Sequence, residues 1–144
     1  MPLFNADKTG SLVSEMRNAV NHLKSLQATE KETFLNNPDK IGSAKYYFIV
    51  AIESAIDICN HIISQNGYRA PEDYADTFQV IGEQGAFDKD FIRQLKDMVK
   101  FRNRLIHLYW NIDDEQVYEI LQSQLNDFKK FLDYIAVFLK LEKL

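Results

Sequence analysis

Five residues between positions 102 and 109 could do chemistry together: Arg102, Asn103, Arg104, His107 and Tyr109. Cleaving RNA without a metal takes a base for the ribose 2′ proton and cationic donors for the charge that builds on the phosphate. A histidine and an arginine meet those needs at neutral pH. The 2′-hydroxyl is the nucleophile, so none is required from the protein. The same residue types also have a structural use. Cations near a helix C-terminus interact with its dipole and free carbonyls, and Tyr109 and Trp110 can be core residues with polar tips. Spacing sets a condition on the chemical reading. Five residues place Arg102 and His107 about 140° apart around a regular helix. They share a site only if the helix ends or distorts before His107, if two copies of the chain meet in one cleft, or both.

Charge is unevenly spread. The 144 residues carry a net charge of −4, which does not advertise a nucleic-acid partner. From Asp88 to Trp110, however, six basic residues (Lys89, Arg93, Lys96, Lys100, Arg102, Arg104) stand against three acids (Asp88, Asp90, Asp97), a local +3. The remainder has eleven basic against eighteen acidic residues, or −7. The plain reading is a solvated helix face with pairs such as Arg93 with Asp97 and Asp97 with Lys100. The functional reading makes Lys96, Lys100 and Arg104 contacts for RNA phosphate, with an intramolecular ion pair the alternative for Arg104.

A second cluster, Glu53, Asp57 and His61 with Asn60 beside it, recurs at i,i+4 spacing in an otherwise apolar segment. Acids there need partners. The motif arginines or Arg93 are candidates, which would make Asp57 a supporting residue. The alternative is the wet face of a helix. Nothing else converges on these acids to suggest a metal, and His22, His61 and His107 are far apart in sequence. His22, among Asn18, Asn21 and Lys24, reads as surface, and Tyr46 and Tyr47 as core or dimer surface. Cys59, the single cysteine, sits among Ile56, Ile58 and Ile62 and reads as a buried reduced thiol. The N-terminus lacks a basic region followed by an apolar stretch, and apolar runs look too short to span a bilayer. The expected location is the cytoplasm, with no membrane partner.

The elements that must position these residues read as helices. The periodicity predicts five, at about Leu12–Leu35, Lys40–Asn66, Glu72–Ile81, Lys89–Leu105 or a little beyond, and Glu115–Lys140. The second is apolar around much of its circumference, as the central helix of a bundle must be. Gly67 is placed as its C-cap and Asp88 as the N-cap of the fourth. The fourth presents Phe91, Ile92, Leu95, Met98, Val99, Leu105 and Ile106 as its apolar face. Residues 1–144 read as one all-α, up-and-down bundle.

The string from Arg102 to Tyr109, an arginine, four residues, a histidine, one residue and a tyrosine, resembles the HepT-like branch of the HEPN ribonucleases. The likeness extends to Tyr74…Phe78-Gln-Val-Ile-Gly, Gly85-Ala-Phe, Leu95-Lys-Asp-Met98, Trp110-Asn-Ile-Asp113 and Val117-Tyr118, so it runs from about Ala44 to the C-terminus. The resemblance implies a HEPN-like bundle that forms a symmetric dimer, with two copies of the motif facing one cleft. It implies a toxin that is a metal-independent endoribonuclease with no cofactor, partnered by a small MNT-type nucleotidyltransferase antitoxin. Carried over, Arg102 stabilises the phosphorane and His107 is the general acid/base. Asn103 orients the phosphate or the histidine. Tyr109 accepts AMP from the antitoxin, which puts bulk and negative charge beside the cleft. The competing expectation is a non-catalytic helical adaptor that binds or serves a nucleotidyltransferase.

Overall fold

The structure, a computed structural model, describes residues 1–109 and 111–144. Trp110, which belongs to the motif's flank, lies outside the described residues. Among the described residues there are seven helices and no strand: α1 (Ala6–Gln27), α2 (Lys31–Leu35), α3 (Pro38–Asn66), α4 (Tyr74–Glu83), α5 (Lys89–His107), α6 (Asp114–Ser123) and α7 (Asn126–Phe138). The all-helical class is as expected, but the count of five is not, because two expected helices are each divided. The first begins earlier, capped by the Asn5 side chain, and stops at Gln27. There the Tyr118 hydroxyl donates to the Thr29 carbonyl at 3.0 Å, and the Gln27 amide donates to the Leu121 carbonyl at 3.1 Å. Contacts from α6 thus hold the backbone at a break that turns Phe34 into the core. The last expected helix divides at Gln124–Leu125, re-aiming α7 so that Phe131 meets Phe78 and Phe87.

α3 is the hub, packed by α1, α2, α4, α5 and α6. Ala44, Ala51 and Ala55 are buried on it and allow close approach, while Phe48 and Ile52 fill the space between helices. Pro38 opens this helix rather than ending the previous one, since the first helical position has no use for the missing N–H. Gly67 caps it with φ 63°, a left-handed conformation that glycine adopts without strain. The six fully buried phenylalanines (Phe34, Phe48, Phe78, Phe91, Phe128, Phe131) contribute roughly 1.5–3 kcal/mol each. Cys59 is buried and free, and burial pushes its thiol pKa up.

One expectation needs correcting. α3 is long and apolar enough to cross a bilayer by length and composition, although 61% of the relevant window is buried inside the bundle, as for a core helix.

Asp88 caps α5, its carboxylate accepting from the Phe91 N–H at 2.8 Å. α4 lies against α5 at Gly82, where a Cβ would stand 2.4 Å from the Ile92 Cδ1. α5 buries Phe91, Ile92, Leu95, Met98, Val99, Phe101 and Leu105. Ile106, expected on this face, is instead exposed.

Candidate active site at the end of α5

Arg102 projects from the packed side of α5, and its side chain is only 13% exposed. Its Nη2 donates to the Glu53 Oε1 of α3 at 2.7 Å, and its Nη1 donates to the Asn103 Oδ1 at 3.0 Å. The Tyr74 ring, at the start of α4, lies 4.9 Å from the guanidinium carbon. Three elements therefore fix one cation. Its Nε–H is buried without an acceptor among the described residues, a donor left for something else. Glu53, Ile56, Asp57, Tyr74 and Arg102 line a recess of about 140 Å³.

Asp57 stands in that recess. Desolvation raises its carboxyl pKa above the usual value, as do the charges of Glu53 and Glu15, against the opposing pull of Lys8 and Arg102. The i,i+4 cluster is thus split. Glu53 has the arginine partner that an acid on an apolar helix needs, and Asp57 is its neighbour. His61 does different work: its Nε2 accepts from the Asn5 N–H at 2.8 Å and ties the start of α1 to α3. Burial, and then the charge of Lys8, hold its pKa below the ordinary histidine value, which suits a neutral acceptor. Asn60 lies by α4, where the Thr77 hydroxyl is 3.5 Å from its Oδ1.

His107 is exposed and is the last residue of α5, with Leu108 as the C-cap. The helix does not end before it, so regular geometry keeps it about 140° from Arg102. Within one chain the two are not brought onto one face. Arg104 lies with its guanidinium carbon 5.7 Å from the Phe101 ring and pairs with no carboxylate among the described residues. The Lys96 ammonium donates to the Gln79 Oε1 at 2.9 Å. Lys100 is exposed. The expected Arg93–Asp97 and Asp97–Lys100 pairs do not form; Arg93 instead meets Asp90 at 3.4 Å. His22 is exposed and stacks on Tyr47 with ring centroids 4.2 Å apart, while Tyr46 is exposed.

Tyr109 sits half-buried in the connection after α5. The buried Lys45 of α3 donates to its carbonyl at 2.9 Å, lies 4.5 Å from its ring centroid, and is 3.4 Å from the Asp114 carboxylate. The phenol oxygen lies over Gly42, 3.6 Å from where a Cβ would be. Lys45 and Tyr74 were missed as site residues. Lys45 had a signal: it is a lone cation in the apolar series Ile41, Lys45, Phe48, Ile52. No group of three or more His, Cys, Asp or Glu side chains that could hold a metal ion is found among the described residues.

Residues 16–135 match the Ribonuclease HepT-like family. The mRNA nuclease HepT of Shewanella oneidensis is 32% identical over 83 residues, which cover 58% of this chain and 62% of that protein, under two thirds of its length. The tRNA nuclease HepT of Aphanizomenon flos-aquae is 23% identical over 122 residues, covering 83% of this chain and 82% of that one. A solved structure of the tri-AMPylated Shewanella oneidensis HEPN toxin in complex with an MNT antitoxin superposes with a TM-score of 0.85 at 22% identity, covering 92% of this chain and 99% of that one, a likeness of fold.

Proposed function

We propose, because the chain belongs to the Ribonuclease HepT-like family, that it is the toxin of a toxin–antitoxin pair and a metal-independent endoribonuclease. The observation that carries this reading is Arg102. A nearly buried guanidinium held by Glu53, Asn103 and the Tyr74 ring, with a spare donor, is built to meet a negative charge of fixed position. In the proposed reaction His107 takes the proton from a ribose 2′-hydroxyl, and the 2′ oxygen attacks the adjacent phosphorus. Arg102 stabilises the phosphorane, and the 5′ oxygen leaves with a proton. The products are a 2′,3′-cyclic phosphate and a 5′-hydroxyl.

The regular course of α5 to His107 supports a homodimer that completes the site across a cleft. Ile106 and Leu108, 40% and 47% exposed on either side of His107, suit such an interface. The proposed partner is an MNT-type nucleotidyltransferase. It transfers AMP from ATP to Tyr109: the phenol oxygen bonds the α-phosphorus, pyrophosphate leaves, and the phenol proton is released. The modified tyrosine would repel RNA phosphate from the neighbouring His107.

The test is purified protein with RNA in EDTA. Cleavage that survives chelation, leaves cyclic phosphate ends, and disappears in Arg102→Ala and His107→Ala is expected. Intact RNA together with tight binding to a nucleotidyltransferase would replace this reading with that of an adaptor. For the switch, intact mass after incubation with the partner and ATP should rise by AMP in the wild type and not in Tyr109→Phe.

A further inference from the structure

We propose that the polar face of α5 is a track for the RNA backbone, leading along the helix to His107. The proposal rests on the nuclease reading above and adds where the chain away from the cleaved bond lies. At 100° per residue, Lys89, Arg93, Lys96, Lys100, Arg104 and His107 fall within about 80° of arc, and from Lys89 to His107 the helix rises about 27 Å. Arg102, the remaining cation of α5, points the other way, into the packed face. The helix thus separates its cations: one is held among α3 and α4 side chains, and the rest are lined up on one side.

The chain's acids do not cancel this line. Asp90 and Asp97 lie at its flank, and only Asp90 engages, meeting Arg93 at 3.4 Å between two well-exposed side chains, a pair that water screens. Asp76 of α4 feels Lys96, but its carboxylate is occupied by Arg69 at 2.7 Å. Lys96 is held by the neutral Gln79. Lys89 and Lys100 are exposed and pair with no carboxylate among the described residues. In a chain that is otherwise acidic, a line of cations ending at the proposed general base fits a polyanion of repeating charge. The contacts would be to phosphate, so they would position RNA without reading its sequence.

The experiment measures single-stranded RNA binding against salt, by fluorescence anisotropy, in an Arg102→Ala background so that RNA is not cut. Each phosphate contact on a single strand contributes a slope of about −0.7 in log K against log salt. Lys89→Gln with Lys100→Gln should therefore flatten the slope by about 1.4. A control with the same loss of charge, Lys24→Gln with Lys129→Gln on α1 and α7, should leave the slope as it was. An unchanged slope in the α5 pair, or equal flattening in the control, overturns the track. So does an α5 pair that loses the nucleotidyltransferase while holding RNA normally, which would make this face a protein interface. Cleavage by the protein with Arg102 intact, without the slope change, sinks only the track, whereas the slope change with no cleavage by that protein sinks only the nuclease reading.

Discussion

Asp57 and Glu53 share one recess with one arginine, and only Glu53 pairs with it. The Asp57 carboxyl titrates above its ordinary 3.8 in the folded chain, through desolvation first and then the charges of Glu53 and Glu15. The charged form is therefore the disfavoured one. The cost is absent while both folded and unfolded states are protonated, and grows as pH rises through 3.8. Asp57→Asn should accordingly raise Tm at pH 7, by the equivalent of less than about 1 kcal/mol for so exposed a group. The gain should shrink as pH is lowered towards 4, and a gain independent of pH would contradict this. Glu53 has the opposite role. Removing it in Glu53→Ala leaves a nearly buried cation without its 2.7 Å partner, and misplacement of such a group costs up to roughly 100-fold in rate. The loss is expected in kcat more than KM, with Glu53→Gln recovering most of it by keeping an acceptor. An acid on an apolar helix face announced a missing partner, and the motif announced the cation. What the sequence could not convey was which acid would meet which arginine, or that Tyr74 would lie beside them. Those depend on how α3, α4 and α5 are set together.

Helix ends with local chemistry were legible, and those without it were not. Asp88 and Gly67 cap their helices as their residue types suggest. The stretch from Ala28 to Glu30 contains no breaker, and the chain leaves the helix there because Tyr118 and Gln27 tie α6 to that segment. The same reasoning applies to the connection between α5 and α6, which carries Tyr109. Among the described residues Lys45 helps hold it to the bundle, being buried on α3 and joined to the Tyr109 carbonyl and the Asp114 carboxylate. Lys45→Met keeps the length and the apolar stem but removes the donor. A hydrogen bond from a charged group contributes about 1.5–3 kcal/mol, so global stability should fall by about that much at most. The sharper readout is hydrogen exchange. The amides of Leu108, Tyr109 and Asn111 to Asp114 should exchange faster in Lys45→Met, while those of α3 around Ala51 and Ala55 change far less. Unaltered protection of the connection would show that other contacts hold it.

A groove of about 520 Å³ lies between α1 and α7 and is lined by Met16, Val20, Leu125 and Leu132 among others, with no motif residue. At the motif, the described residues of one chain form a small recess around Arg102, with an exposed histidine on another face of the same helix. The sequence posed two solutions to the five-residue spacing, and the regular course of α5 to His107 favours the second. The second makes a quantitative prediction for the proposed dimer. If each site takes Arg102 from one copy and His107 from the other, Arg102→Ala and His107→Ala are each inactive alone but complement when co-expressed. A symmetric two-fold arrangement gives every mixed dimer one intact site and one doubly altered site. Random pairing makes half of the dimers mixed, so about a quarter of wild-type activity should return. Sites contained within single chains would return none, because each chain still lacks one group. Measuring RNA cleavage for each variant alone and for the co-expressed pair at equal protein concentration separates the two. A pair as inactive as its parents would mean that α5 must distort in the active protein, bringing Arg102 and His107 together within one chain.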